Sequence, residues 1–102
     1  MGYYTKFKIT SLTEGITDKE AESLVLDVVN EKYGDPFEDE CKWYNHVEHM
    51  KEVSEKNPSI VFKLQGEGED PGDMWNKYFK NGKMQVCKVQ FIFPPYDESK
   101  LV

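Results

Sequence analysis

The chain has 102 residues, 38% hydrophobic and 14% aromatic, with 19 acidic against 13 basic side chains and a formal net charge of −6. That length holds one core, so residues 1–102 read as a single domain, and the large rings bury enough area to offset a charged fraction of 31%. Every basic residue is lysine, which argues against sequence-specific DNA binding, because bidentate reading of guanine edges is chiefly arginine chemistry.

The strand pattern starts at Tyr3–Thr10 (YYTKFKIT), where Tyr3, Thr5, Phe7 and Ile9 alternate with Tyr4, Lys6, Lys8 and Thr10. Thr17 stands three residues before Glu20, the capping-box spacing, and Ala21, Leu24, Val25, Val28 and Lys32 follow at helical intervals up to Gly34 and Pro36. A first helix is predicted over 18–33. After the acidic stretch DPFEDE, Trp43, Val47, Met50 and Val53 share one helical arc that Asn57-Pro58 closes, which predicts a second helix. Ile60, Phe62 and Leu64 alternate with Val61, Lys63 and Gln65 in a strand ending at Gly66. Met74–Lys80 and Lys83–Phe93 then flank Asn81-Gly82, the sequence of a type I′ hairpin turn.

The order β-α-α-β-β-β predicts an α+β fold: a mainly antiparallel four-stranded sheet with two helices packed on one face. The two-residue turn sets Phe79 opposite Met84, Lys77 opposite Val86 and Trp75 opposite Lys88. The apolar run Cys87, Val89, Phe91 and Phe93 is expected to face the helices. Trp75, Lys77, Phe79 and Lys88 then point outward and join Tyr4, Lys6 and Lys8 in an aromatic and lysine-rich binding face. If Met74–Lys80 lies at or near a sheet edge, Trp75 and Phe79 offer a contact for a homodimer by sheet extension or face packing.

Other features have bland readings. The loop Glu67, Glu69, Asp70 and Asp73 is oxygen-rich with glycine turns, but it lacks the spacing of a calcium loop; it is expected to be solvated or to touch a partner, with a metal-assisted hydrolase as a third reading. His46 and His49 stand at i, i+3 without a second ligand pair, so no metal is expected and a boundary and a solvated histidine are. There is no nucleophile with a recognisable base; no catalytic residue, no cofactor and no enzyme activity are expected. No run approaches the roughly 18 apolar residues of a membrane span. The N-terminus lacks the apolar stretch of a secretion signal. With free Cys41 and a free, buried Cys87, a cytoplasmic protein away from membranes is expected.

The run GEGEDPGDMWNKYFKNGKMQ, with CKWYNHVEHM before it and FPPYDESKL after it, resembles small uncharacterised phage and prophage proteins that share a GEGE…D-x-W-x-KYF-x-NGK pattern over roughly residues 41–100. The resemblance implies a viral accessory context, in which small acidic proteins act by occupying a binding surface of a host protein. The expectation is therefore an inhibitor or decoy of a host defence or nucleic-acid-processing protein. The alternative is a nucleotide or single-stranded nucleic-acid module in which Trp75, Phe79 and Tyr4 stack bases beside the lysines.

Overall fold

The computed structural model describes residues 3–33, 36–38, 41–90 and 92–102, the side chains of 30–33 excepted. β1 (Thr5–Ser11) is followed by α1 (Asp18–Tyr33), α2 (His46–Lys56), β2 (Phe62–Gly68), β3 (Met74–Lys80), β4 (Lys83–Lys88) and a short 3-10 turn at Glu98–Lys100. The strands form one sheet in chain order, β1-β2-β3-β4, each antiparallel to the next. This is the expected α+β fold. The Gly34 helix stop, Asp39 and Glu40 of the acidic stretch, and the facing of Phe91 lie outside the described residues.

The start of α1 follows from its capping box: Glu20 N–H donates to Thr17 Oγ1 at 3.1 Å and Thr17 N–H donates to the Glu20 carboxylate at 3.0 Å. The bond from the Thr17 backbone, then that from its hydroxyl, holds the Glu20 carboxyl below its usual range. Ala21, Val25 and Val29, four residues apart, are buried and lay one helical stripe against the sheet beside β1.

α2 is shorter than its periodicity predicts. It begins at His46, so Trp43 precedes the helix instead of sharing its arc, although it is 1% exposed. Met50 and Val53 are fully buried, and the helix ends where Asn57 N–H and Asn57 Nδ2–H both donate to Val53 O. The hairpin between β3 and β4 has the predicted turn, with φ of +48° at Asn81 and +78° at Gly82. Its tip docks on α2: Gly82 N–H donates to Oγ of buried Ser54 at 2.8 Å, and Ser54 Oγ–H donates to Lys51 O at 2.9 Å.

The hairpin register is the predicted one, with Trp75 opposite Lys88, Lys77 opposite Val86 and Phe79 opposite Met84. The facing is reversed. β2 decides it: Phe62 and Leu64 are fully buried under the helices and lie opposite Phe79 and Lys77, while Gly66 lies opposite Trp75. Trp75, Lys77 and Phe79 therefore share the helix side with Phe7 and Ile9, and Cys87 turns to the open side. The apolar content of β4 is a poor guide because no helix covers most of that strand; Met84 and Val86 stand on the helix side yet remain 36% and 44% exposed. β4 also stops at Lys88, not at Phe93. Opposite it, β3 begins at Met74, whose carbonyl accepts from Val89 N–H, so nothing in β3 is left to pair further.

Candidate functional site

The expected aromatic and lysine face divides between the two sides of the sheet. On the helix side, Phe79 is fully buried and cannot touch a partner. Trp75 is half-buried, and its indole lies where a β-carbon on Gly66 would come within 2.1 Å of Cζ2, so only glycine at that position lets the ring cross the sheet. His46 stacks on the indole with centroids 5.1 Å apart and planes 13° from parallel. Lys77 Nζ sits 4.2 Å from the Trp75 ring centroid and 2.7 Å from His46 Nε2. Lysine only donates, so Nε2 accepts and the ring proton resides on Nδ1, which donates to Trp43 O at 2.9 Å.

Burial is the main reason the His46 pKa falls from 6.5 to about 4; the Trp43 carbonyl opposes the fall and the Lys77 charge adds to it. Burial also lowers the Lys77 pKa, against the pull of Asp73. Trp43 Nε1–H donates to His49 Nδ1 at 2.8 Å, and Phe7 packs edge-on against Trp43 at 5.2 Å and Trp75 at 6.0 Å. The histidine expected to be solvated thus serves as an acceptor for a buried indole. Among the described residues, no group of three or more His, Cys, Asp or Glu is placed to hold a metal ion.

The acidic loop ties the β2–β3 turn to the start of the chain. Tyr3 Oη–H donates to Asp73 Oδ2 at 2.6 Å and accepts from Asp70 N–H at 2.9 Å, while Glu69 Oε2 accepts from Tyr4 N–H. The Asp73 bond leads the effects that raise the Tyr3 pKa. Gly72, at φ +88°, turns the loop, and Gly68 N–H closes it on Asp73 O at 2.8 Å. Glu67 stays exposed at the edge of the open face. Two of the four loop carboxylates, Glu69 and Asp73, therefore have structural duties, and Asp70 takes part through its backbone N–H.

The open side of the sheet is the surface the fold leaves for binding. Strand alternation places Lys6 and Lys8 of β1, Lys63 and Glu67 of β2, Lys80 of β3 and Lys83 of β4 on it, five lysines against one carboxylate. Lys8, Gln65, Asn76 and Cys87 form one row across all four strands. A shallow trough of about 430 Å³ runs past Lys6, Lys8, Gln65, Asn76 and Cys87. Tyr4, 42% exposed, and half-buried Tyr78 are the rings on this side. Cys41 and Cys87 are not joined in a disulfide, and Cys87 is half-exposed where burial was expected.

Lys88 stands apart, on the helix side of the edge strand and exposed. β3 lies between β2 and β4, so Met74–Lys80 has no free edge for sheet extension, and Trp75 and Phe79 face the helices and not an open surface. The signals that could have shown the true facing were Gly66 inside a strand and the loop length that sets it opposite Trp75. Among the described residues, no helix is long and apolar enough to cross a membrane. Comparison with family models, with curated proteins and with solved structures returns no match.

Proposed function

We propose that this chain is a cytoplasmic, non-catalytic accessory protein that occupies the binding surface of a macromolecular partner, as an inhibitor or decoy of a host defence or nucleic-acid-processing protein. The supporting observation is an acidic helical flank on which carboxylates outnumber lysines. Glu14, Asp18, Glu20, Asp27, Glu48, Glu52 and Glu55 are all exposed along α1, α2 and the loop before them. Among the described residues the only salt bridge is Lys56 to Glu52, at 3.1 Å. Lys19, Lys51 and Lys56 offset part of this charge, and five further lysines lie on the other side of the sheet. A surface dominated by carboxylates imitates the charge of a phosphate backbone and would compete for a basic groove.

The test is displacement of labelled duplex DNA from host nucleic-acid-binding proteins at low salt. Asp27→Lys with Glu48→Lys is expected to abolish displacement, while Lys6→Glu with Lys8→Glu on the opposite side leaves it intact. Displacement that survives reversal of the helical charges would refute the decoy reading.

A second reading has its own support: the five lysines of the open face could follow the backbone of a single strand. The burial of Phe79 and the helix-side position of Trp75 remove its main stacking platform, leaving Tyr4 and Tyr78. Salt-dependent binding of labelled oligothymidylate, lost in the Lys6→Glu, Lys8→Glu variant, would favour this reading over the first.

A further inference from the structure

We propose that two copies of this chain join through β4, pairing antiparallel about a two-fold axis at Val86 to make one continuous eight-stranded sheet, with the C-terminal arm of each copy lying on the hairpin end of the other. This inference stands independently of the acidic flank.

The two outer strands of the sheet are treated differently. β1 is closed at both ends of its free edge: Thr5 exchanges two backbone bonds with Cys41, at 2.9 and 3.0 Å, and Ser11 N–H donates to Asp18 Oδ1 at 2.9 Å. β4 has no such cover among the described residues, contains no proline and is regular from Lys83 to Lys88. An edge of this kind is a template for another strand.

Ladder parity says which groups are offered. Across a two-residue turn the flanking pair, Lys80 and Lys83, is hydrogen-bonded, and such pairs recur every second residue. The bond from Val89 N–H to Met74 O at 2.9 Å continues that series. The odd-numbered residues of β4 thus bond inward, and Met84, Val86 and Lys88 present their N–H and C=O groups outward. Two copies keep their helices on one side only if same-parity residues meet. The centre of the run 83–89 is Val86, so Val86 meets its own copy, Met84 meets Lys88, Gln85 meets Cys87 and Lys83 meets Val89. No lysine faces a lysine.

The surface area agrees with a missing partner. The chain exposes 7384 Å², against about 6,000 Å² expected of a compact monomer of its mass. Its radius of gyration is 16.5 Å, against about 13 Å for a compact domain of this length. The C-terminal arm, residues 92–102, contributes to the surplus: its Ile92, Phe93 and Tyr96 are 80%, 91% and 76% exposed. In the pairing described, the arm leaves β4 beside the other copy's Lys83 and runs toward its hairpin end. A depression of about 450 Å³ lies there, bordered by Val61, Tyr78, Lys80, Lys83 and Met84. The arm carries rings for that depression, and Asp97 and Glu98 complement Lys80 and Lys83. Covering β4 and the arm removes a surface of the order a specific dimer requires, roughly 1,200–2,000 Å² in total.

Sedimentation equilibrium of the full chain tests this. The expected result is a concentration-dependent mass rising to twice 11.9 kDa. Val86→Pro removes an N–H that β3 does not use and blocks the edge, so it should give a monomer with unchanged far-UV circular dichroism; Val86→Lys serves as the second variant if proline disturbs folding. Gln85→Cys sets a thiol opposite Cys87 of the other copy and should yield an oxidant-dependent covalent dimer. Asp97→Lys with Glu98→Lys should weaken the dimer, and adding Lys80→Glu with Lys83→Glu should restore it. A mass of 11.9 kDa at every concentration, or a dimer that survives both Val86 variants, overturns the proposal.

Discussion

Replacing Gly82 by valine tests the hairpin and its docking on α2 together. The residue holds φ at +78° beside Asn81 at +48°, a region costing a side chain with a β-carbon about 1–2 kcal/mol, and more when that carbon is branched. The new β-carbon would stand 2.8 Å from Glu55 Cγ and 3.2 Å from its Cδ. Glu55 is exposed and can swing aside, so this contact is the smaller part. If the turn opens to relieve φ, the Gly82 N–H leaves Oγ of fully buried Ser54, 2.8 Å away; a bond of that kind broken under burial costs about 1–3 kcal/mol. Either route gives about 2–3 kcal/mol, or roughly 10–20 °C in melting temperature for a domain of this size. Thermal and urea unfolding followed by circular dichroism measure it, with an unchanged urea slope showing that the two end states are intact. Gly82→Asn should lose less than half as much, because asparagine tolerates positive φ, and Glu55→Ala in the valine background should recover little. A valine variant that melts within about 2 °C of the parent would refute the argument from φ.

Trp75→Ala should lower stability by about 2–3 kcal/mol, less than a fully buried tryptophan costs, and leave the association state unchanged; calorimetry with light scattering checks both. Gly66→Ala drives a β-carbon into the indole of Trp75 and should cost about 1–3 kcal/mol in urea unfolding, with Gly66→Ala combined with Trp75→Leu recovering part of the loss. His46 has a folded-state pKa of about 4, below its ordinary 6.5. The unfolded chain takes up that proton first, so the contribution is complete above pH 6.5 and is lost as pH falls toward 4, by about 2 kcal/mol after allowing for remaining exposure. The urea midpoint of the parent should therefore fall more steeply over that range than that of His46→Gln, and the His46 ring signals in NMR should titrate near 4.

Local chemistry was legible in the residues themselves. The Thr17/Glu20 box set the start of α1, Asn57 the end of α2, and Asn81-Gly82 both the turn and the register of Trp75, Lys77 and Phe79 against Lys88, Val86 and Met84. Each of these depends on atoms a few residues apart, or on a turn too short to permit a second register. Which side of the sheet the helices cover was a different kind of question. Alternation says that Trp75 and Phe79 lie opposite Asn76 and Tyr78, but it does not say which set is inside, and both sets contain rings. Packing decided it at a distance, through Phe62 and Leu64 pairing across to Phe79 and Lys77 and through Gly66 making room for the indole. The same long-range packing joined His46 to Lys77, 31 residues away. It also left β4 beyond the reach of most of the helical layer, so that its apolar residues marked an open edge and not a core. Burial is set by the whole area of neighbouring elements, and strand period, being a local property, carries no record of where that area ends.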